Sequence, residues 1–233
     1  MLVSESGRAV VVSGGTGALG RAVVSRFLAA GDRVVVPWIV KSELEALERD
    51  EAEALRAGRI VLVESDVAEE SGAHRAADAA APVEVLVNGV GGYGGGKSVS
   101  DTELELWDRM YRINVRTAAA LTRAVLPGML ARGKGSIVNI SSRAALDLPA
   151  GLGAYAAAKA AVSALSFVAQ KEVADRHVRV NTVIPTTIDT PANRAAMPNA
   201  DFSQWTPPAK IAEVIFWLSS DAGATVRGAL VPV

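Results

Sequence analysis

The sequence predicts a single α/β domain with a doubly wound, seven-stranded, mostly parallel sheet and helices on both of its faces. Short runs of Val, Ile and Leu alternate with Ala-rich helical patterns, the order expected for successive strand-helix-strand units. Most of these runs are nearly continuous in apolar residues, which indicates strands that are buried on both sides. The chain has 233 residues, 50% of them hydrophobic, and this suits one domain over 1–233.

Seven segments carry the strand pattern, each a short aliphatic run between turn residues. They are residues 9–13, 33–40, 60–63, 83–88, 136–140, 178–184 and 229–233. Helical patterns fill the gaps between them, and the two longest cover 101–132 and 154–175. Their Ala-rich faces suit packing across a two-fold axis.

Residue types also mark several helix ends. Two serine-glutamate pairs have the spacing of a capping box, in which the two side chains satisfy backbone donors at a helix start. These pairs are Ser42 with Glu45, and Ser100 with Glu103. Gly31 has the residue type of a helix stop. Pro127 lies within the pattern at 101–132 and is expected to kink or interrupt it, because proline removes a helix hydrogen bond.

Composition excludes several kinds of partner. Lys and Arg number 24 against 25 Asp and Glu, so the formal net charge is -1 and provides no general attraction to nucleic acid or to an anionic membrane. An RNA-binding module is set aside, because the chain lacks the basic, aromatic-bearing surface that backbone binding requires. The expected partner is therefore a small molecule.

Neither a metal site nor a targeting segment is predicted. The chain has no cysteine and two histidines, which are too few ligands for a Cys/His zinc site. Residues 1–7 lack the basic start and apolar run of a signal peptide, and no apolar stretch reaches the roughly 20 residues of a membrane span. A cytoplasmic protein is therefore expected.

A glycine-rich loop, Ser-Gly-Gly-Thr-Gly-Ala-Leu-Gly at 13–20, follows the first predicted strand and opens the first predicted helix. Glycines let the backbone turn sharply and approach a pyrophosphate, whose charge the free N–H groups and the helix dipole attract. The alternative is an ordinary glycine turn. In this context the sequence favours dinucleotide binding by Gly14, Thr16, Gly17, Ala18, Leu19 and Gly20.

The end of the second predicted strand bears on the choice between NAD and NADP. An acidic side chain there binds the ribose 2′-hydroxyl of NAD, and a basic one accepts the 2′-phosphate of NADP. Residues 37–41 read Pro-Trp-Ile-Val-Lys, with no carboxylate, and Lys41 is either a phosphate ligand or a solvated lysine at a helix start. This slightly favours NADP. Trp38 either contacts the adenosine or packs in the core.

Tyr155 and Lys159 are four residues apart in a clear helical pattern, so their side chains share one helix face. A lysine ammonium beside a phenol stabilises the phenolate, and we therefore expect a lowered pKa for Tyr155 and proton transfer near neutral pH. The spacing alone is common on exposed helices. Its specificity comes from its combination with the glycine-rich loop.

With these motifs in one order, the chain resembles the short-chain dehydrogenase/reductase family from its first strand to its last. The resemblance implies a Rossmann fold and an NAD(P)-dependent oxidoreductase that acts on a carbonyl or alcohol as a homotetramer or homodimer. It assigns catalysis to Asn114, Ser142, Tyr155 and Lys159. Ser142 is chosen over Ser141 because it precedes Tyr155 by the family's spacing. Tyr155 and Lys159 are also implied cofactor contacts, together with Asp66, Val67, Asn88, Gly89, Gly91, Pro185, Ile188 and Thr190.

Three residues depart from the family pattern. Ala18 replaces a loop glycine, Gly89 replaces a second asparagine, and Thr186 replaces the glycine after a proline. In the implied mechanism a hydride passes between the nicotinamide and a carbonyl carbon while Tyr155 supplies the proton. Ser142 would bind the carbonyl oxygen, Lys159 would hold the ribose, and Asn114 would position a water. A nucleotide-sensing protein without catalysis is the less favoured alternative, because such proteins usually have a broken Tyr-Lys pair.

Residues 189–207 are instead similar to the quinonoid dihydropteridine reductases, as are 14–20, 91–96 and 144–147. The likeness is partial, since those enzymes lack the serine and asparagine present here and have an acidic residue in place of Trp38. It implies a pterin reductase as the alternative function and a substrate lid at about 186–207. The expected substrate contacts, for several of which packing is the alternative, are Tyr93, Ser142, Ala144, Leu148, Tyr155 and Thr186. Phe202 and Trp205 either clamp the lid or contact substrate.

Overall fold

One sheet of seven parallel strands forms the centre of the computed structural model, which describes residues 7–233. The strands are β1 (Ala9–Ser13), β2 (Arg33–Trp38), β3 (Ile60–Glu64), β4 (Val85–Asn88), β5 (Gly135–Ile140), β6 (Val178–Ile184) and β7 (Leu230–Pro232). They lie in the order β3-β2-β1-β4-β5-β6-β7, and every neighbouring pair is parallel. All seven predicted strands are present. Residues 1–6, which carry most of the signal-peptide argument, lie outside the described residues.

Helices cover both faces of this sheet, as predicted. They are α1 (Ala18–Ala29), α2 (Lys41–Asp50), α3 (Ala52–Arg56), α4 (Glu70–Ala80), α5 (Leu104–Met110), α6 (Thr117–Arg132), α7 (Ala144–Asp147), α8 (Gly153–Glu172), α9 (Pro191–Ala196) and α10 (Pro208–Ser219). Helices α1 and α10 pack on one face, and α4, α6 and α8 on the other. The doubly wound α/β fold is therefore confirmed.

The two cores explain the unbroken apolar runs of the strands. Val10 and Val12 of β1 point into the core beneath α1 and α10, whereas Val11 points into the core beneath α4 and α6. All three side chains are buried. Because successive side chains of a strand alternate between faces, a sheet covered on both sides requires apolar residues at every position.

Both predicted capping boxes are wrong. Helix α2 begins one residue before Ser42, and its N-cap is Val40, which makes no side-chain capping bond. Helix α5 begins after Glu103, again with no side-chain cap. The Ser100 hydroxyl lies 2.9 Å from that of Ser98 in a preceding turn, so this local turn replaces the helix start that the serine predicted. The helix stop at Gly31 is confirmed by its left-handed backbone, with φ of +88°.

Pro127 does not interrupt the long helix, because α6 continues through it to Arg132. The helix instead departs from α geometry at Tyr111–Arg116, a π-helical segment between α5 and α6. Such wide turns occur frequently at functional sites. Asn114, one of the predicted catalytic residues, lies in this segment and is buried.

Candidate active site

The loop after β1 and the loop after β4 lie side by side at the carboxyl edge of the sheet. The Ser13 hydroxyl oxygen accepts hydrogen bonds from the backbone N–H groups of Gly89 (3.1 Å) and Val90 (3.4 Å). A Cβ at Gly14 would lie 2.7 Å from the carbonyl oxygen of Gly89, so the two loops approach more closely than a side chain allows. The strand order reverses here, and open α/β sheets leave a ligand crevice at this point.

A cavity of about 430 Å³ occupies this crevice. Its walls include eight of the predicted cofactor residues, namely Gly14, Thr16, Gly17, Trp38, Asp66, Val67, Gly89 and Gly91. Other lining residues were not predicted as cofactor contacts, among them Ile39, Val40, Glu43, Arg109, Arg112 and Ile113. Ile39 and Val40 were predicted to continue β2, but the strand ends at Trp38 and both side chains are exposed at the cavity.

The glycine-rich loop fits a pyrophosphate. Gly17 is the N-cap of α1 in extended conformation and offers no side chain to bond the first N–H groups of that helix. These donors stay free for an anion, which the helix dipole also favours. A Cβ at Gly20 would lie 1.9 Å from the carbonyl oxygen of Gly14, so the loop folds back tightly on the helix. Ala18 begins α1, and Leu19 packs against the core beneath it.

Asp66 is already tied to its surroundings. Its carboxylate accepts a hydrogen bond from the backbone N–H of Ala68 (2.9 Å) and forms an ion pair with Arg112 (2.8 Å). Arg112 also pairs with Glu69 at 2.7 Å, and these two carboxylates raise the pKa of its guanidinium, Glu69 first. The predicted adenine side of the site is therefore a fixed charged network rather than an isolated aspartate.

Asn88, predicted as a cofactor contact, turns its side chain into the core. Its amide nitrogen donates to Asn139 (2.7 Å) and to the Thr122 hydroxyl (3.2 Å). Asn139 in turn donates to Ser166 on α8 (2.7 Å). The side chain of Asn88 thus connects β4 to β5 and α6 beneath the loop, while the neighbouring Gly89 lines the cavity.

Two of the predicted catalytic residues come together around Gly91. A Cβ at Gly91 would lie 2.8 Å from Oδ1 of Asn114 and 3.0 Å from Nζ of Lys159, so the two side chains flank this glycine. Asn114 is held by Gly92, whose N–H donates to Oδ1 (3.2 Å) and whose carbonyl accepts from the amide nitrogen (3.1 Å). Lys159 Nζ donates to the carbonyl of Ile140 at 3.0 Å.

Tyr155 lies one turn before Lys159 on α8, in contact with Ser142. The ring of Tyr155 packs edge-on against that of Tyr93, with 5.2 Å between their centroids. Burial raises the pKa of the Tyr155 phenol, the neighbouring Ser142 hydroxyl lowers it, and Tyr93 raises it further. The expectation that Lys159 lowers this pKa is therefore wrong for the protein alone, because burial is the largest effect and the lysine amine bonds to Ile140 instead.

Burial of Lys159 predicts a pH-dependent stability. It lowers the pKa of the amine from 10.5 to about 8, so between these values the unfolded chain holds a proton that the folded chain has released. The free energy of unfolding should therefore rise as pH increases from about 8 to about 10.5, by on the order of 3 kcal/mol. Urea titrations of wild type and Lys159→Met across this range measure the effect. A difference between them that does not change with pH would contradict it.

A model of the short chain dehydrogenase family matches residues 8–201. The chain belongs to the short-chain dehydrogenase/reductase family. It is an NAD(P)-dependent oxidoreductase, in agreement with the names of its relatives. The 2-(R)-hydroxypropyl-CoM dehydrogenase of Xanthobacter autotrophicus is 32% identical over 241 residues, which cover 95% of each chain. The 3-oxoacyl-(acyl-carrier-protein) reductase of Thermotoga maritima is 29% identical, over 97% of this chain and 96% of that protein.

A solved structure extends the comparison to the cofactor. A blue fluorescent protein from a metagenomic library, determined in complex with NADPH, superimposes with a TM-score of 0.84 at 26% identity and covers 98% of this short-chain dehydrogenase/reductase. The same alignment covers 96% of that protein. A nicotinamide cofactor is thus established at the level of the family. The pterin-reductase alternative has no support of its own among these relatives and stays a prediction.

The substrate residues predicted for this dehydrogenase/reductase are not among the described residues that line the cavity, and two of them, Tyr93 and Ser142, contact Tyr155. Ser142 accepts a hydrogen bond from the backbone N–H of Ala144 (3.2 Å), which begins α7. Leu148 follows α7 in the left-handed region, with φ of 48°, and its side chain is exposed. A branched residue in this conformation is strained, and such strain clusters at ligand-binding sites. The Thr186 hydroxyl lies 3.4 Å from that of Thr206.

The segment predicted as a lid forms a loop with paired ends. Ile188 and Thr206 form a parallel bridge, and the Asp189 N–H donates to the Thr206 carbonyl (3.0 Å). Phe202 and Trp205 pack on each other with centroids 4.7 Å apart, and Arg194 lies 4.8 Å above the Phe202 ring. These contacts lie within the loop, and the two alternative roles of Phe202 and Trp205 stay predictions.

The residues predicted to hold the nicotinamide lie at the start of this loop. Pro185 follows β6 and accepts a hydrogen bond from the Arg143 N–H (2.9 Å). Ile188 packs against the core, and the Thr190 hydroxyl caps α9 by accepting from the Asn193 N–H (3.2 Å).

Among residues 7–233, no helix is long and apolar enough to cross a membrane. The same part of the chain contains no group of three acidic, His or Cys side chains suited to a metal ion.

Proposed function

We propose that this enzyme reduces a carbonyl of a small-molecule substrate, or oxidises the corresponding alcohol, with Tyr155 as the residue that exchanges the proton. One observation carries the proposal: the buried Lys159 amine and the Asn114 amide meet at Gly91, which lines the cavity behind the glycine-rich loop. The names of the relatives differ in substrate, so family membership supports the reaction and leaves the substrate open.

The predicted cofactor residues would each bind a different part of the dinucleotide. The loop at 13–20 would bind the pyrophosphate, Asp66 and Val67 the adenine, and Lys159 the ribose next to the nicotinamide. The carboxamide would lie against Pro185, Ile188 and Thr190. When bound, the nicotinamide donates or accepts the hydride.

The protein side chains manage the proton and the oxygen. Because burial raises the pKa of Tyr155, its phenol stays protonated at neutral pH and is ready to donate to a carbonyl oxygen. Ser142 donates a hydrogen bond to the same oxygen, which lowers the cost of the charge that develops there. The Asn114 amide bonds to the backbone of Gly92 and Met110, and we infer that it fixes the loop beside Lys159, where a water returns the proton.

The preference for NADP stays a prediction. It rests on Lys41, which is not among the described residues that line the cavity. Further support comes from relatives, such as the blue fluorescent protein in complex with NADPH and an NADPH-dependent aldehyde reductase of Arabidopsis thaliana that is 28% identical. The residues that line the cavity argue instead for NAD.

We further propose a cytoplasmic homodimer or homotetramer that is assembled through α6 and α8. Phe167 and Val168 on α8 are exposed apolar side chains, and burying them against a second copy would remove this surface from water. Light scattering would measure the mass in solution, and a monomer would contradict the assembly.

Binding and turnover measurements test the function. NADH and NADPH are titrated by fluorescence, and their oxidation is then followed with ketones, acyl thioesters and quinonoid dihydropterin. We expect dinucleotide binding and turnover with a carbonyl substrate. Turnover with the dihydropterin alone would favour the pterin reductase, and binding without any turnover would favour a nucleotide sensor. Failure to bind either dinucleotide would contradict the proposal.

Two adjacent serines provide a matched test of the site. Ser142 contacts Tyr155, whereas the Ser141 hydroxyl is buried and donates to the Lys159 carbonyl (2.8 Å). Ser142→Ala should lower kcat by about 10²- to 10³-fold, the typical loss for one oxyanion donor. Ser141→Ala should instead lower the melting temperature, because it removes the buried hydrogen bonds that Ser141 makes with the Lys159 carbonyl and the Ser163 hydroxyl. A larger loss of kcat in Ser141→Ala than in Ser142→Ala would reverse the assignment.

A further inference from the structure

The second strand ends without a carboxylate, and the helix that follows it supplies one. Glu43 lies in the first turn of α2 and lines the cavity. Its Oε2 accepts a hydrogen bond of 3.0 Å from the hydroxyl of Thr16. Thr16 is a residue of the glycine-rich loop and is only 5% exposed, so it holds the carboxylate at a defined place. That place is beside the end of β2, where dinucleotide-binding folds hold the adenosine ribose.

Among the described residues that line the cavity, the rest of this wall offers no cation to a 2′-phosphate. Ile39 and Val40 are apolar, and their side chains are 64% and 44% exposed at the cavity. Lys41 is not one of the described lining residues. Arg21 contacts the same loop, but its guanidinium donates to the Thr16 carbonyl (3.2 Å) and pairs with Asp50 (3.0 Å).

The arginines of the cavity belong to another wall. Arg109 and Arg112 lie on α5 and the π-helical segment after it, three residues apart and therefore on one side of the helix. Arg112 is paired with Asp66 and Glu69, which follow β3. This wall faces the adenine side of the predicted site, whereas the charged lining residue on the segment that directly follows β2 is Glu43.

We propose that Glu43 selects NAD over NADP in the dinucleotide site described above, on whose existence this inference rests. Its carboxylate accepts a hydrogen bond from the 2′-hydroxyl of the adenosine ribose. The same carboxylate repels a 2′-phosphate, which carries close to two negative charges. The flanking side chains of Ile39 and Val40 are apolar, so they provide no positive charge and no polar group that would offset this repulsion. Thr16 acts as a positioning residue through its hydroxyl.

Fluorescence titration with NADH and NADPH tests the assignment in wild type, Glu43→Gln and Glu48→Gln. Wild type should bind NADH at least about tenfold more tightly than NADPH, and Glu43→Gln should reduce that ratio by about tenfold, mainly through tighter NADPH binding. Glu48→Gln makes the same change of charge on α2 outside the cavity lining and should keep the wild-type ratio. Thr16→Val keeps the carboxylate but removes the hydroxyl that holds it, and should reduce the ratio by a smaller factor.

The outcomes separate this inference from the proposed function. A wild-type preference for NADPH, or an equal ratio in wild type and Glu43→Gln, would overturn the role of Glu43 and leave the dinucleotide site intact. An equal change in Glu43→Gln and Glu48→Gln would also overturn it, since the effect would then be one of net charge. Failure of the wild type to bind either dinucleotide would overturn the proposed function and this inference with it.

Discussion

Replacing Tyr155 with phenylalanine is expected to lower kcat by about 10²- to 10⁴-fold, the usual contribution of a positioned acid, and to leave dinucleotide binding nearly unchanged. The substitution removes only the hydroxyl. The aromatic ring stays, and with it the edge-on packing against Tyr93 at 5.2 Å. Because this hydroxyl is the group that exchanges a proton with the substrate oxygen, its loss affects the chemical step. Stopped-flow measurement of hydride transfer at saturating cofactor isolates that step.

Tyr111→Phe is the matched control for this prediction. Tyr111 begins the π-helical segment, and its side chain is 58% exposed, so loss of its hydroxyl should leave kcat within a few-fold of wild type. The pH profile adds a second readout, since burial and Tyr93 raise the pKa of Tyr155 while Ser142 lowers it. The rate of carbonyl reduction should therefore persist into alkaline pH, until the Tyr155 phenol of the cofactor-bound enzyme ionises. Wild-type turnover in Tyr155→Phe would refute the assignment.

Alanine at Gly20 is expected to weaken NADH binding by about 10²-fold, the loss that follows removal of a hydrogen bond to a charged group. The new Cβ would lie 1.9 Å from the Gly14 carbonyl oxygen and 2.7 Å from the Gly15 Cα, and both are backbone atoms. The loop must therefore move away from the helix, and its N–H groups then no longer converge on the pyrophosphate. Overpacking of this kind also destabilises a fold by about 1–3 kcal/mol. Isothermal titration with NADH and urea unfolding measure the two effects.

Gly17→Ala makes the same chemical change in the same loop. Its Cβ would lie 3.5 Å from the Gly14 carbonyl oxygen, an ordinary contact, and the backbone conformation of Gly17 is accessible to any residue. We therefore expect Gly17→Ala to lose less stability than Gly20→Ala. Equal losses of stability in the two variants would show that crowding against the Gly14 and Gly15 backbone is not the cause.

Several features of the fold could be predicted because they depend on residues that are close together in the sequence. The valines of β1 alternate between two cores, so a continuous apolar run was sufficient to predict a strand covered on both faces. Gly31 ends α1 because a left-handed residue after a helix requires glycine or a similarly permissive residue. The prediction that helices start at Ser42 and Ser100 was wrong, because residue spacing alone was not sufficient there. A serine that suits a cap also suits a turn, and the choice between them depends on hydrogen bonds that the spacing does not show.

The sequence by itself determined the class of fold, the glycine-rich loop and the placement of Tyr155 and Lys159 on one helix face, since all three follow from local spacing. Only the tertiary structure decided that Asn114 and Lys159 meet at Gly91, and that Glu43 reaches the hydroxyl of Thr16. It also reversed the expected direction of the pKa shift of Tyr155. These properties depend on distances between remote segments and on how much water burial removes, and both arise only when the chain has folded.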